Sequence, residues 1–216
     1  MLSKFEKNFF VVVSYVLHPI FVPLYINLFL FINKNFSYFY TIYNFKIFYL
    51  ILTYTTLFTI IIPLIIFYIL KRCNVIQSLT EPSKQEVLLM NIIISTSYLV
   101  LNFLSLDFIF LNDVFEIYLM SAILLNIFLL ITKFSIHSFG WVAGLSTFIL
   151  ISIDYDIYIN TKLWQIIIIT LLSGLAINSR IFLSVHNNIQ IIKGSFLGLI
   201  TSIISFLVLK FLYYEI

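Results

Sequence analysis

The sequence predicts an all-α, polytopic membrane bundle of six or seven transmembrane helices, and three observations carry that expectation. The chain of 216 residues is 62% hydrophobic and 10% charged, against roughly 25% charged residues in an ordinary soluble domain. Its mean hydropathy is +1.11. Apolar runs long enough to cross a hydrocarbon core, which takes about 20 residues per helix, follow one another with no repeat or low-complexity linker between them. Little is left for a soluble domain, so residues 1–216 are expected to form one transmembrane domain.

The spanning segments are expected at 9–32, 47–70, 87–106, 114–132, 139–153, 163–178 and 189–212. The first holds HPIFVP, His18 to Pro23. Two prolines inside one helix remove backbone hydrogen bonds, so this span is expected to be broken, with His18 shaping the break. It is also too long, and too closely followed by further spans, for a removable signal peptide. The 139–153 segment is short, and its Gly140 and Gly144 would admit a close neighbour. Asn27, Asn91, Asn102, Asn126 and Asn178 fall in or near apolar spans and read as interhelical hydrogen-bonding residues. Tyr38, Tyr40, Trp141, Trp164, Tyr213 and Tyr214 lie near segment ends and read as an interfacial belt.

Several classes are excluded or left without support. Cys73 is the single cysteine, so no intramolecular disulfide and no cysteine-based metal site can form. His18, His137 and His186 lack paired-ligand spacing, so no metal and no cofactor is expected. A net charge of +3 without a basic run argues against a nucleic-acid partner.

Seven crossings would put three connections on the side of the N-terminus: 71–86, 133–138 and 179–188. That face then gathers His137, His186, Arg180, Lys84 and Lys133. It holds eight of the twelve lysines and arginines, which by the positive-inside bias makes it cytoplasmic. Three of the eight are cations suited to an anion site, and without them the margin is five against four, so the orientation stays open.

If a helix begins near Asn187, His186 stands at its lip with Gln190 four residues on, about 40° around the axis and within contact. The Gln190 carbonyl oxygen could then accept from one imidazole nitrogen and leave the other's lone pair aimed outward as a nucleophile or base. Arg180 offers a planar fork of donors suited to phosphate oxygens. His137, from a separate connection, could protonate a leaving oxygen. Together these residues make a metal-free phosphoryl-transfer site. As interfacial residues alone, His186 and Arg180 would anchor the helix among lipid headgroups, Lys84 and Lys133 would follow the positive-inside bias, and Glu81 and Glu86 would solvate their loop.

The block Ser179, Arg180 and His186 (S-R-x5-H), preceded by Ser135 and His137, resembles the last two signature blocks of the type 2 phosphatidic acid phosphatase family. HPIFVP, SLTEPSKQEVLLM, KFSIHSFG and SRIFLSVHNNIQIIKGSFLG follow, in order, a divergent Bacteroidetes-type branch, so the resemblance covers most of the chain from His18 to Gly198. It implies a multi-pass protein of the bacterial inner membrane that acts on a lipid phosphate or diphosphate through a phosphohistidine intermediate. By that resemblance His186 forms the phosphohistidine, His137 protonates the leaving group, Arg180 and Ser179 belong to the phosphate-binding block, and Lys84 is a further phosphate contact.

The sequence also departs from that family. Val87 and Met90 stand where the first block would end in arginine and proline, and the middle block lacks its proline and glycine. Gln190 stands where an aspartate would orient and charge the nucleophilic histidine; in the serine triad, amidating the equivalent carboxylate costs about 10⁴ in rate. A second expectation therefore stands beside the first, a weak or inactive relative that binds phosphorylated lipid or serves as a structural membrane partner. A small transporter is disfavoured by the absence of an internal repeat and of acidic residues deep in the spans.

Overall fold

The structure, a computed structural model, describes residues 3–32, 45–77, 82–104, 109–154 and 159–214. Among these the regular secondary structure is all helix, because a backbone in hydrocarbon must satisfy its polar groups within its own segment. Seven helical stretches are long and apolar enough to cross a membrane: Lys4–Leu30, Tyr49–Arg72, Lys84–Leu104, Asn112–Ile131, Ile136–Asp154, Leu163–Phe182 and Asn188–Leu212. The protein is an all-α, multi-pass membrane bundle.

The first span comprises α1 (Lys4–Val16), a 3-10 turn (Pro19–Phe21) and α2 (Val22–Ile32). Ser3 and Glu6 close a capping box at its start, with Glu6 N–H donating to Ser3 Oγ at 3.2 Å and Ser3 N–H to Glu6 Oε2 at 2.7 Å. The second span is α3 (Phe45–Thr56), a π turn (Leu57–Ile61) and α4 (Ile62–Arg72), whose Pro63 sits in its first turn. The two breaks pack against each other. Five uninterrupted helices follow: α5 (Lys84–Leu104), α6 (Ile109–Ile131), α7 (Ile136–Asp154), α8 (Ile159–Phe182) and α9 (Asn188–Tyr214).

Helix α7 is the hub, with 61% of its span buried against 28% to 44% for the others. Two stripes explain this. On one, Gly140 faces Pro19, where a Cβ would stand 3.0 Å from the proline Cβ, and Gly144 faces Val22 and Ile26. On the other, the backbone around Ser135 and Phe139 lies against Gly194 and Gly198 of α9, whose missing side chains permit the approach. Lys210 of α9 pairs with Asp154 at the far end of α7, so these two helices run parallel. Helix α8 runs antiparallel to the broken first span: Phe10 stacks on Phe182 at 4.4 Å, and Gln165 Nε2 donates to the Phe29 carbonyl at 2.9 Å.

The asparagines mostly bridge helices as expected. Asn27 Nδ2 donates to Thr55 Oγ1 at 3.0 Å, Asn91 Nδ2 to Asn126 Oδ1 at 2.8 Å, and Asn102 Nδ2 to Asn112 Oδ1 at 3.0 Å. Asn178 is the exception and lies on the exposed face of α8. Trp141 departs from the belt assignment: it is fully buried, and its indole donates into the break of the first span. Trp164 is 43% exposed near the start of its span, as a belt residue should be. Glu86 does not simply solvate a loop, because it accepts from Ser83 N–H at 2.6 Å and closes the capping box of α5. Tyr38, Tyr40 and Glu81 lie outside the described residues, as do the side chains of Tyr213 and Tyr214.

Candidate functional site

The candidate residues sit at one end of the bundle, where α7 and α9 begin and α8 ends. Two hydrogen bonds tie this end together: Ser135 N–H donates to the Gln190 carbonyl at 3.0 Å, and Lys84 Nζ to the Leu130 carbonyl at 3.0 Å. Helices run further than the apolar segments, so Lys84, His137, Ser179 and Arg180, all expected in connections, lie on helices instead. Arg180 falls in the last turn of α8 and His137 in the first turn of α7. Facing protein rather than lipid, these polar side chains do not oblige their helices to stop.

Helix α8 ends at Phe182, and in the turn that follows Ser184 has a φ of 56°, the left-handed conformation that reverses the chain. Asn187 then caps α9: Gln190 N–H donates to Asn187 Oδ1 at 2.9 Å, and Asn187 N–H to Gln190 Oε1 at 3.3 Å. That second bond fixes the orientation of the Gln190 amide. The same Oε1 lies 3.1 Å from His186 Nδ1. An amide oxygen only accepts, so Nδ1 carries the proton and the Nε2 lone pair is left free. Burial lowers the His186 pKa below the ordinary 6.5; the Gln190 hydrogen bond opposes that shift, and the charges of Arg180 and Lys133 add to it. The ring is therefore neutral at pH 7.

His137 is 8% exposed, and its Nε2 has no hydrogen-bond partner. The Ser14 backbone holds the ring, and His18, Arg180 and His186 are all its electrostatic neighbours. Arg180 donates from Nη1 to Ser14 Oγ at 2.7 Å, while its buried Nε is unpartnered. Buried polar atoms without partners are uncommon in folded proteins and need an explanation. Two of them lie in the same cluster: the guanidinium N–H donates as it stands, and the imidazole, whose other nitrogen the Ser14 backbone holds, donates from Nε2 once protonated, a pair that suits an anionic ligand bearing several oxygens.

The other expected contacts are committed elsewhere. Ser179 is fully buried and donates to the Ala176 carbonyl of its own helix at 2.7 Å. Lys84 is exposed with its ammonium on the end of α6, whereas Lys133 is the lysine whose charge acts on His186. The sequence favours His18 as a shaper of the helix break over a role in chemistry, yet its ring meets that of His137 edge to face, with centroids 5.1 Å apart. The available signal was an ionisable side chain within a membrane span, which is by default a functional candidate. Ser14 carried no such signal.

Among the described residues, no three His, Cys, Asp or Glu side chains come together as a metal-ligating group. Comparison with protein-family models, with curated proteins and with solved structures gives no match to this chain.

Proposed function

We propose that the protein is a membrane lipid phosphate phosphatase acting through a phosphohistidine, on a lipid phosphate or diphosphate in a bacterial inner membrane. The observation that carries this reading is the Gln190-oriented His186, with Nδ1 held at 3.1 Å and Nε2 free, beside the unpartnered Nε of Arg180 and Nε2 of His137. In the reaction, Arg180 binds the phosphoryl oxygens and His186 Nε2 attacks phosphorus. The bond from phosphorus to the lipid oxygen breaks as the N–P bond forms, and His137 gives its proton to the departing oxygen. Water then attacks phosphorus, returning its proton to His137 and freeing His186 and inorganic phosphate. The substrate's negative charge favours the protonated His137 that the first step requires.

The test is phosphate release by the detergent-purified protein from phosphatidate, phosphatidylglycerol phosphate, undecaprenyl diphosphate and a lipid A phosphate, beside His186→Ala and Arg180→Ala. Equal rates for the three proteins would refute the mechanism. A second reading, a silent relative that binds phosphorylated lipid or partners another membrane protein, is favoured by Gln190 itself, because a neutral amide orients the ring without stabilising an imidazolium by charge. Such a protein would bind lipid tightly without turnover, and a carboxylate at position 190 would not change that.

A further inference from the structure

We infer that His18 is a third donor of the anion site, its proton fixed on Nε2 by the broken first span. This rests on the phosphoryl-site reading above and extends it to a residue on a different helix.

The backbone break makes the placement. Pro19 ends the helix and starts the 3-10 turn, for which His18 is the cap: the ring Nδ1 accepts from Ile20 N–H at 3.3 Å. A nitrogen that accepts carries no proton, so in the neutral ring the proton is on Nε2 and points away from the turn. Gly140 admits Pro19, and Trp141 holds the Leu17 carbonyl at 2.8 Å. His137, Gly140, Trp141 and Gly144 form one stripe of α7, so the residues that seat the break also set His18 against His137. His18 is not sealed off as a residue, and it lies within reach of the Arg180 charge. His137, with its unpartnered and buried Nε2, independently indicates a ligand there. A tetrahedral oxyanion on Arg180 and His137 then receives a third hydrogen bond from His18 Nε2, whereas His186 approaches from the start of α9.

A cap and a donor are separable. His18→Asn keeps a strong capping acceptor but lacks a donor at the reach of Nε2; His18→Gln keeps the reach and weakens the cap. Binding of inorganic phosphate and of orthovanadate to the purified full chain is measured by titration calorimetry, with thermal unfolding followed in parallel. The expected result is that His18→Asn unfolds like the parent yet binds both anions about tenfold more weakly, the loss of one hydrogen bond to a charged group, while His18→Gln retains most of the affinity. Parent-like binding by His18→Asn overturns the inference and leaves the phosphatase reading intact. Weakened binding by His18→Asn, beside a parent that binds both anions but hydrolyses no lipid phosphate, upholds His18 and overturns the phosphatase. Failure of the parent to bind either anion overturns both.

Discussion

The indole Nε1 of Trp141 donates to the carbonyl oxygen of Leu17 at 2.8 Å, across 124 residues of sequence. Leu17 lies just beyond α1, at a point where Pro19 and the 3-10 turn deny its carbonyl a continuing helix. The tryptophan supplies the missing donor from the neighbouring span. Trp141→Phe fills most of the volume but leaves a buried carbonyl unsatisfied, so it should destabilise the protein by about 1–3 kcal/mol. Chemical unfolding in detergent measures this. Parent-like stability would mean that the Leu17 carbonyl finds another donor.

The glycines divide in a way that stability measurements can read. A Cβ at Gly198 would strike the Phe139 carbonyl, and one at Gly194 would strike the Ser135 carbonyl and the Ser138 hydroxyl. Backbone cannot rotate aside, so Gly198→Ala should cost about 1–3 kcal/mol through overpacking of α9 on α7. Gly174 has nothing within 4 Å of its would-be Cβ. Gly174→Ala should therefore stabilise α8, by about 0.5–1 kcal/mol of recovered helix propensity. Similar shifts in unfolding temperature for both would contradict this packing.

Much of the fold was legible because hydropathy and length report directly on membrane crossing, and the Pro19 and Pro23 pair announced the broken span. The π turn at Leu57–Ile61 was not legible, since nothing in LFTII differs from its neighbours in apolarity. Trp141 was misread because a tryptophan near a span end satisfies the belt pattern whether its indole meets water or a partner carbonyl. At the site, the contact between His186 and Gln190 followed from helical spacing, a local property. The Ser14 to Arg180 bond, 166 residues apart, and the meeting of His18 with His137 depend on which helices neighbour each other, and no local pattern encodes that.

Arg180 should matter far more than its sequence companions. Removing its guanidinium deletes a charged donor from the cluster, so Arg180→Ala should lower kcat/KM on the order of 10². Ser179→Ala removes a hydroxyl already spent on Ala176, and Lys84→Ala an ammonium already spent on Leu130. Both should stay within about threefold of the parent, an energetic change below that of one typical hydrogen bond. Phosphate release at matched protein loading compares the three. A loss in Lys84→Ala as large as that in Arg180→Ala would return Lys84 to the phosphate.

Gln190→Glu puts a carboxylate on His186 without disturbing the local backbone, since glutamate suits the third position of a capping box as well as glutamine does. Its oxygen can accept from both Asn187 N–H and His186 Nδ1–H, the two bonds that Gln190 Oε1 now receives. The new charge favours the imidazolium, which raises the His186 pKa from its burial-lowered position. A higher pKa keeps the ring protonated, and so unable to attack, up to a higher pH. The acid limb of kcat/KM should accordingly move upward by about one pH unit. Above that limb turnover should increase roughly 10-fold or more, because the charge that builds on the imidazole during attack now has a counter-ion. A pH-rate profile of parent and variant on the best lipid phosphate reads both effects at once. An unmoved acid limb with unchanged turnover would mean that His186 is not the group that attacks phosphorus.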